Sequence, residues 1–559
     1  MRTHVLGTAI VLAASLSAIG RGAFGQVPVI VPGQVSQVPD APVTQVEIPE
    51  LRIDQPQVAT DRETDGAWVL VHALRVSGQT RFSQSELIKA AGFTPDRSLS
   101  LSDLRRMAAR ITRYYNVRGY LVAQAYVPAQ QVTDGSVTIS VIEGRYGAVR
   151  LNNTSRLRTR MARERLKGVE AGALIQAAPL ERRLLLLSDL PGVRAKATLA
   201  PGSAVGTSDL LLDVTPGHRV SGNIEASNAG SPYTGLYQGG GTVNFNEPLS
   251  IGDVASLRVL TSGKGLQYAR AAYQAQAGDL TLGVAYAHFH YRLGKQFDVL
   301  DANGREDITS LYASYPLVRS YDNNLQARVE LDYRVLQDRL DAFATTSDRR
   351  AEVVTVGVTG DHHDRYGGGG WDSYSLYLVT GNLDLRTPLV RTADAAAART
   401  QGHYGKLRFS ADRLQSLAGP FSVYGAVRGQ VAFNNLDITE KMELGGAYAV
   451  RAYPEGEVYG DEGYVATVEG RVLLPPVKGL PGRLQLAAFY DYGQVRLNKD
   501  PWLAGDNSLS RDGAGGSVTW AENGDFLVRA SYAVQLGPDA TSYDPASHDQ
   551  VRFELIKFF

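Results

Sequence analysis

The stretch Leu325–Val335 alternates without a break. Leu325, Ala327, Val329, Leu331, Tyr333 and Val335 are apolar or aromatic, and Gln326, Arg328, Glu330, Asp332 and Arg334 between them are polar. Successive side chains of a strand point to opposite faces, so this segment has one apolar face and one mostly charged face. A soluble sandwich would bury the first and wet the second. A membrane barrel would give lipid to the first and water to the second. Alternation alone fits both.

The rhythm of the connections separates them. Read by period two and by turn residues, the segment 219–559 holds about sixteen strands. Links from even to odd strands are mostly short, as at Asp279, Val318–Asn323, Gln415–Pro420 and Glu522–Asp525. Several links from odd to even strands are long: Leu293–Thr309, Leu385–His403, Asn434–Gly463, Val495–Gly513 and Gly537–Gln550. Short turns at one end, long loops at the other and an even strand count are the pattern of a transmembrane barrel in a bacterial outer membrane. The last nine residues, Val551–Phe559, alternate and end on an aromatic, which resembles the signal by which such barrels are recognised for assembly.

The amino-terminal end agrees. Arg2, the apolar run Val5–Ile19 and the small residues Ala23 and Gly25 have the layout of a secretory signal cut after Gly25. That run falls short of the roughly 20 apolar residues that a transmembrane helix needs, and no other segment approaches that length. Gln26–Thr60 carries Pro28, Pro32, Pro39, Pro42, Pro49 and Pro56. Such a density blocks helix interiors and favours extended chain, so 26–66 reads as a Pro-rich periplasmic linker. The chain has no cysteine, which excludes disulfides, thiolate metal sites, a cysteine nucleophile and a cysteine lipid anchor. Its 57 basic and 57 acidic residues balance and leave no nucleic-acid footprint.

Between linker and barrel, Trp68–Glu143 reads strand, helix, helix, strand, strand. Ser83 and Glu86 form a capping box. A second helix from about Ser100 sets Leu101, Leu104, Ala108, Ile111 and Tyr115 on one face and stops at Gly119. Tyr120–Pro128 and Val137–Ile142 then pair around Thr133-Asp134-Gly135. Ile111-Thr112, Tyr115, Gly119-Tyr120, Ala125-Tyr126-Val127-Pro128, Asp134-Gly135 and Glu143-Gly144, in that order, resemble the POTRA module of TpsB-type (ShlB/FhaC/HecB-like) two-partner secretion transporters. Leu180–Val193, Pro201-Gly202, Gly206 and Leu210–Val214 resemble that family's second POTRA module. The expected organisation is a signal peptide 1–25, a linker 26–66, α+β POTRA modules 67–144 and 145–217, and an all-β, 16-stranded antiparallel barrel 218–559.

Within the barrel, Leu444-Gly445-Gly446, Val450-Arg451-Ala452-Tyr453-Pro454 and Gly460–Tyr464 resemble the family's sixth extracellular loop. The strand count puts them there too, after the eleventh strand. The family motif has glycine where this chain has Ala452, and a methyl group would strain a backbone that needs positive φ. A literal Val117-Arg118-Gly119-Tyr120 closes a POTRA helix and is a decoy. The resemblance pairs the loop arginine with an aspartate in the thirteenth strand, matched here by Asp491. Parity puts Phe489, Asp491 and Gly493 on one face, and a carboxylate is costly against lipid, so that face is the lumen. Gly493 leaves room for a loop alongside, and the planar fork of Arg451 suits a carboxylate. The expected latch is Arg451, Tyr453, Phe489, Asp491 and Gly493, with Glu469 and Arg471 of the twelfth strand as further members of the network.

Other clusters carry less. Asp361-His362-His363-Asp364 has the composition of a metal site, but adjacent histidines of a strand point to opposite faces. His288 and His290 share a face with no acidic or histidine partner evident nearby. Gly367–Gly370 lacks the Lys-Ser/Thr of a phosphate loop. With no nucleophile elbow, paired carboxylates or nucleotide motif, neither enzyme activity nor a cofactor nor a metal is expected. The resemblance implies an outer-membrane translocator that exports an unfolded, β-rich exoprotein of haemolysin or adhesin type. The POTRA modules would receive that partner, and the barrel-assembly machinery would insert the transporter in outer-membrane lipid. The alternative is an outer-membrane protein assembly factor, which shares the modules and the loop but normally carries more POTRA modules.

Overall fold

The computed structural model describes residues 49–53, 68–132, 134–502, 504–540 and 548–559. The expected signal peptide and most of the expected linker lie outside them.

After β1 (Glu50–Ile53), the first module runs β2 (Val69–Val71), β3 (Ala73–Ser77), α1 (Gln84–Ala91), β4 (Arg97–Leu99), α2 (Leu101–Val117), β5 (Gln124–Tyr126) and β6 (Ser136–Ile142). Ser83 and Ser100 cap the two helices in capping boxes closed by Glu86 and Asp103, which occupies N–H groups that a helix start leaves free. The helices lay Leu87, Leu104, Ala108, Ile111 and Tyr115 over the sheet β3-β6-β5. The Tyr115 hydroxyl donates to Glu143 Oε1 (2.9 Å), which also accepts from the Thr80 N–H (2.7 Å) and the Arg81 N–H (2.9 Å). Two motif residues far apart in sequence thus form one hydrogen-bonded unit in the core.

The second module runs β7 (Arg145–Asn153), α3 (Thr159–Glu164), α4 (Ala177–Ser188), β8 (Val193–Pro201) and β9 (Thr207–Pro216). Its sheet order is β1-β8-β9-β7. Within α4, Leu180, Leu184 and Leu187 join the module's core, and Leu185 and Leu186 are buried outside it. A helix apolar on more than one face is covered on more than one face. The presence of β1 corrects the linker reading of 26–66. Proline density signalled extended chain, and a short extended piece with Leu51 and Ile53 on one side is what a sheet edge takes up.

Sixteen antiparallel strands then close the barrel. They begin with β10 (Val220–Ser227), β11 (Gln238–Asn246), β12 (Val254–Thr261), β13 (Leu266–Ala277), β14 (Leu280–Arg292), β15 (Ala302–Arg319), β16 (Asn323–Leu340) and β17 (Thr345–Asp364). β18 (Gly370–Leu385), helix α5 (Pro388–Ala396), β19 (Gly402–Ser416) and β20 (Phe421–Ala432) follow. A ribbon of β21 (Met442–Glu443) and β22 (Tyr459–Gly460) stands apart from the barrel sheet. The barrel ends with β23 (Glu462–Leu473), β24 (Arg483–Arg496), β25 (Ser508–Glu522), β26 (Phe526–Gln535) and β27 (Asp549–Phe558), which pairs with β10 from Asn223↔Phe558 to Ser227↔Glu554. On β16, Val329, Leu331, Tyr333 and Val335 are exposed on the outside. Arg328 pairs with Glu330 (2.8 Å) and Arg334 with Asp332 (2.9 Å) on the inside. This is the lipid-out, polar-in arrangement that the alternation implied.

The strands reach further out than period two showed. β15 starts at Ala302 instead of after Thr309, and β25 at Ser508 instead of after Gly513. Most of the added residues are polar and lack a regular apolar alternation, so backbone pairing continues where the alternating signal has faded.

The second module docks on three turns of the barrel. Arg165 and Arg183 both pair with Asp279 (3.2 Å each), and Arg319 donates to both oxygens of Asp189 (2.8 and 2.7 Å). The Arg158 N–H donates to the Ser250 carbonyl (3.1 Å). Beside that contact, Glu247 is buried at 3 % exposure with φ +57°, next to the buried Asp253. Neither of its carboxylate oxygens is bonded by a side chain. Burial pushes its carboxyl up to about 7, the Gly252 N–H opposing and the Asp253 charge adding. The folded chain therefore holds this proton above the ordinary value of 4.5, and stability falls as pH rises from about 4.5 to 7. Glu247→Gln removes the charge and keeps the shape. In detergent its unfolding temperature should exceed the parent's at pH 8 and match it at pH 4; equality at pH 8 would contradict this.

Candidate functional site

The connection between β20 and β23 folds into the lumen. Its base is the β21–β22 ribbon, and its tip turns at Gly446, whose φ of +112° no side chain tolerates well. Leu444, Val450, Ala452 and Tyr453 are at most 1 % exposed and pack with Val465, Phe489, Val495 and Ala533 of the wall. An apolar tip on a loop that stood in water would have no such cover.

Arg451 is the polar centre of the tip. Its Nε and Nη2 donate to the two oxygens of Asp491, each at 2.8 Å, and its backbone N–H adds a third bond at 3.1 Å. Nη1 donates to Glu469 Oε1 (2.7 Å), and Glu469 Oε2 accepts from Arg471 Nε (2.7 Å). Thr467 Oγ1 completes the shell of Asp491 at 2.8 Å. The guanidinium lies 3.5 Å from the ring centroid of Phe489, a cation–π contact on its remaining face. Two arginines and two carboxylates make the cluster neutral, and the bidentate fork fixes the loop's orientation as well as its position. A Cβ on Gly493 would collide with Leu444 and Val450.

The structure thus brings Arg451, Asp491, Phe489, Gly493, Glu469 and Arg471 together. Tyr453 points the other way: its hydroxyl donates to the Pro538 carbonyl (2.7 Å), and Arg552 of β27 donates to its carbonyl (2.7 Å). Sequence reasoning missed Thr467, Arg552 and the buried pair Arg511–Glu457 (2.8 Å). It also missed the anchors of the loop's outgoing limb, where Glu440 pairs with Arg334 (2.9 Å) and Lys406 (2.8 Å), and Asp437 with Arg349 (2.7 Å). Parity marked Arg334 as lumenal. Its partner lies 106 residues away, beyond what parity can reach.

Ala452 does not carry the strain expected of it, because its φ is not positive. Its methyl instead fills the space that Gly513 of β25 leaves by having no side chain. Gly513→Ala would drive a methyl into Ala452 and toward the Val534 carbonyl, closer than side chains pack. Export should fall severalfold with the barrel inserted, and adding Ala452→Gly should recover part of it; undiminished export by Gly513→Ala would contradict the packing. Ala452→Gly alone, which deletes one buried methyl, should cost about 1 kcal/mol and little export.

Two discounted clusters gain partners. His288, for which no partner was evident, has its Nδ1 2.8 Å from Asp307, the residue facing it in the β14–β15 register. That register was hidden by the unrecognised start of β15. Among the described residues, His362, Asp364 and Asp372 come within 4.8 Å of one another. His363 is not a member, and Arg413 pairs with Asp364 (2.9 Å) and Asp372 (2.7 Å), supplying the positive charge there.

Comparison with known proteins adds the following. The family model for haemolysin secretion/activation protein ShlB/FhaC/HecB matches residues 206–515, and that for the ShlB-type POTRA domain matches 69–144. The heme/hemopexin transporter protein HuxB of Haemophilus influenzae (strain 86-028NP) is 28% identical over 471 residues, 83% of this chain and 82% of that protein. The outer membrane transporter CdiB of Dickeya dadantii (strain 3937) is 22% identical over 424 residues, 74% of each chain. Among solved structures, CdiB from Escherichia coli superposes with a TM-score of 0.70 at 20% identity, covering 90% of this chain and 92% of that one. BamA from Haemophilus ducreyi lacking POTRA domains 1–3 gives 0.53 at 12% identity, covering 88% and 100%, a likeness of fold alone.

Proposed function

The chain belongs to the ShlB/FhaC/HecB family of haemolysin secretion/activation proteins, and we propose that it performs that family's task with its periplasmic sheets as receiver and its Arg451 loop as the latch of the pore. It is an outer-membrane translocator of two-partner secretion, with its POTRA domains in the periplasm. The exoprotein enters unfolded from the periplasm, is received by the two modules, and leaves along a polar lumen. The observation that carries the latch is the five-way satisfaction of Arg451 and Asp491 inside the barrel, on a loop whose apolar tip is buried against β24 and β25. With the tip seated the loop fills part of the lumen, so passage of a chain runs beside it or requires it to move.

The test is co-expression with the chain's cognate exoprotein. Intact exoprotein should reach the medium only when the transporter is present. Exoprotein held and degraded in the periplasm beside a correctly inserted barrel would overturn the assignment. The same cells report on the assembly-factor alternative, since loss of the transporter should leave the levels of unrelated outer-membrane barrels unchanged.

A further inference from the structure

Three buried side chains in line on the lumenal wall keep unbonded polar atoms. Asn223 of β10 faces Thr242 of β11, Thr242 faces Arg258 of β12, and Arg258 faces Arg270 of β13. Their neighbours Ile224, Leu257 and Val259 are exposed on the outside, so by parity the row points inward. Asn223, Thr242 and Arg258 are each at most 8 % exposed. Among the described residues, nothing accepts from Asn223 Nδ2 or from Nε and Nη1 of Arg258, and nothing bonds Thr242 Oγ1. Arg258 Nη2 has a counter-charge in Glu225 Oε1 at 3.0 Å, placed for attraction but off the line of a hydrogen bond. Glu554 of β27 pairs with Arg529 (3.5 Å).

Buried polar atoms are bonded in the large majority of cases, because each one left bare keeps its full desolvation cost. Here the bare atoms are amide and guanidinium donors and a hydroxyl, on three adjacent strands spaced about 4.8 Å apart. What the row lacks is an acceptor. It is short of negative charge as well, since Arg258 and Arg270 stand directly opposite each other, an arrangement that repels. We propose that Asn223, Thr242 and Arg258 form a carboxylate-binding site, and that it takes Asp and Glu side chains of the exoprotein as the chain passes. This rests on the export function given above. The two oxygens of a carboxylate can accept from the guanidinium and from the amide or hydroxyl beside it, and bonds between charged partners are the stronger kind. The approach is from the periplasm. A cavity of about 280 Å³, lined by Asn244, Ser256, Arg270, Gln274 and Tyr312, begins at the next inward pair on that side and reaches Pro191 of the second module.

Two labelled peptides test the site on the purified full chain in detergent, read by fluorescence anisotropy. One is a Gly/Ser peptide with glutamate at intervals, and the other is its glutamine counterpart. The glutamate peptide should bind at least tenfold more tightly. Arg258→Gln should abolish that preference, and Asn223→Leu, which removes an unbonded amide and keeps the volume, should reduce it severalfold. Free acetate at the same carboxylate concentration should not displace the peptide; displacement would make this a site for small anions and overturn the proposal. In cells, with the barrel inserted, Arg258→Gln should lower export of the cognate exoprotein severalfold. Equal binding of the two peptides, a preference that survives Arg258→Gln, or parental export by that variant would each overturn the site and leave the transport function standing. Where Arg258→Gln fails to insert, Asn223→Leu decides alone, and an unchanged preference would overturn the site. Absence of export from the unmodified parent would instead overturn the transport function, and this inference with it.

Discussion

Arg451→Ala should reduce export at least tenfold with the barrel still inserted, and Asp491→Ala should reduce it less. The asymmetry follows from what each substitution leaves behind. Without Arg451, the fully buried Asp491 keeps only Thr467 and the backbone N–H of position 451 as donors. An unpaired buried charge costs about 3–5 kcal/mol, and the loop escapes that cost by leaving its seat. Without Asp491, Arg451 still bonds Glu469 and lies on Phe489. The two losses should be strongly non-additive, the double variant being less damaged than the sum, as a double-mutant cycle reports for contacting groups. Arg451→Lys should not rescue, because an ammonium cannot reproduce the two-pronged contact with Asp491 while reaching Glu469. Secretion measured alongside barrel level by heat-modifiability on gels checks all four variants; strict additivity would remove the latch.

Deleting Trp68–Pro216 should abolish export altogether. The two modules contribute no strand to the closed barrel, whose sheet begins at Val220, so the barrel should still assemble. What the deletion removes is the sheets that the described residues of the two modules form and the docking contacts on Asp279, Arg319 and Ser250. Export from an inserted barrel lacking these residues would place the receiver elsewhere. A narrower pair separates docking from reception: Asp279→Asn weakens the hold of Arg165 and Arg183 while leaving both modules present, and should lower export without eliminating it.

Much of this architecture was legible because it depends on local periodicity. Period two reports a strand whenever lipid and water lie on opposite faces, which is why Leu325–Val335 spoke so clearly. It fell silent at Ala302–Thr309 and Ser508–Gly513, where most residues are polar, several of them buried against the loops, and the backbone ladder continues without an apolar alternation. Asp491 was legible because the family resemblance implied an aspartate on this strand and parity put it on the same face as Phe489 and Gly493, which a charge costly against lipid assigns to the lumen. Glu440 and Arg552 were not, because a lumenal charge does not say which distant loop atom it meets. β1 was hidden for a different reason. A four-residue edge strand between prolines has the composition of a linker, and only the uncovered edge of β8 makes it a strand. Ala452 shows the limit of motif comparison: its methyl is accommodated by Gly513 on another strand, a compensation that the loop sequence alone does not contain.

This barrel and its two modules should move an unfolded exoprotein across a bilayer unaided. The direct measurement uses the purified chain alone in lipid vesicles with its periplasmic modules outward. Urea-unfolded cognate exoprotein is added, protease follows, and the protected fraction is read. Protection that scales with the amount of transporter, needs no nucleotide and is lost with Arg451→Ala is the expected result. Exoprotein that stays fully digested, while the same vesicles speed the insertion of an unrelated barrel protein, would contradict the claim and make the chain an assembly factor.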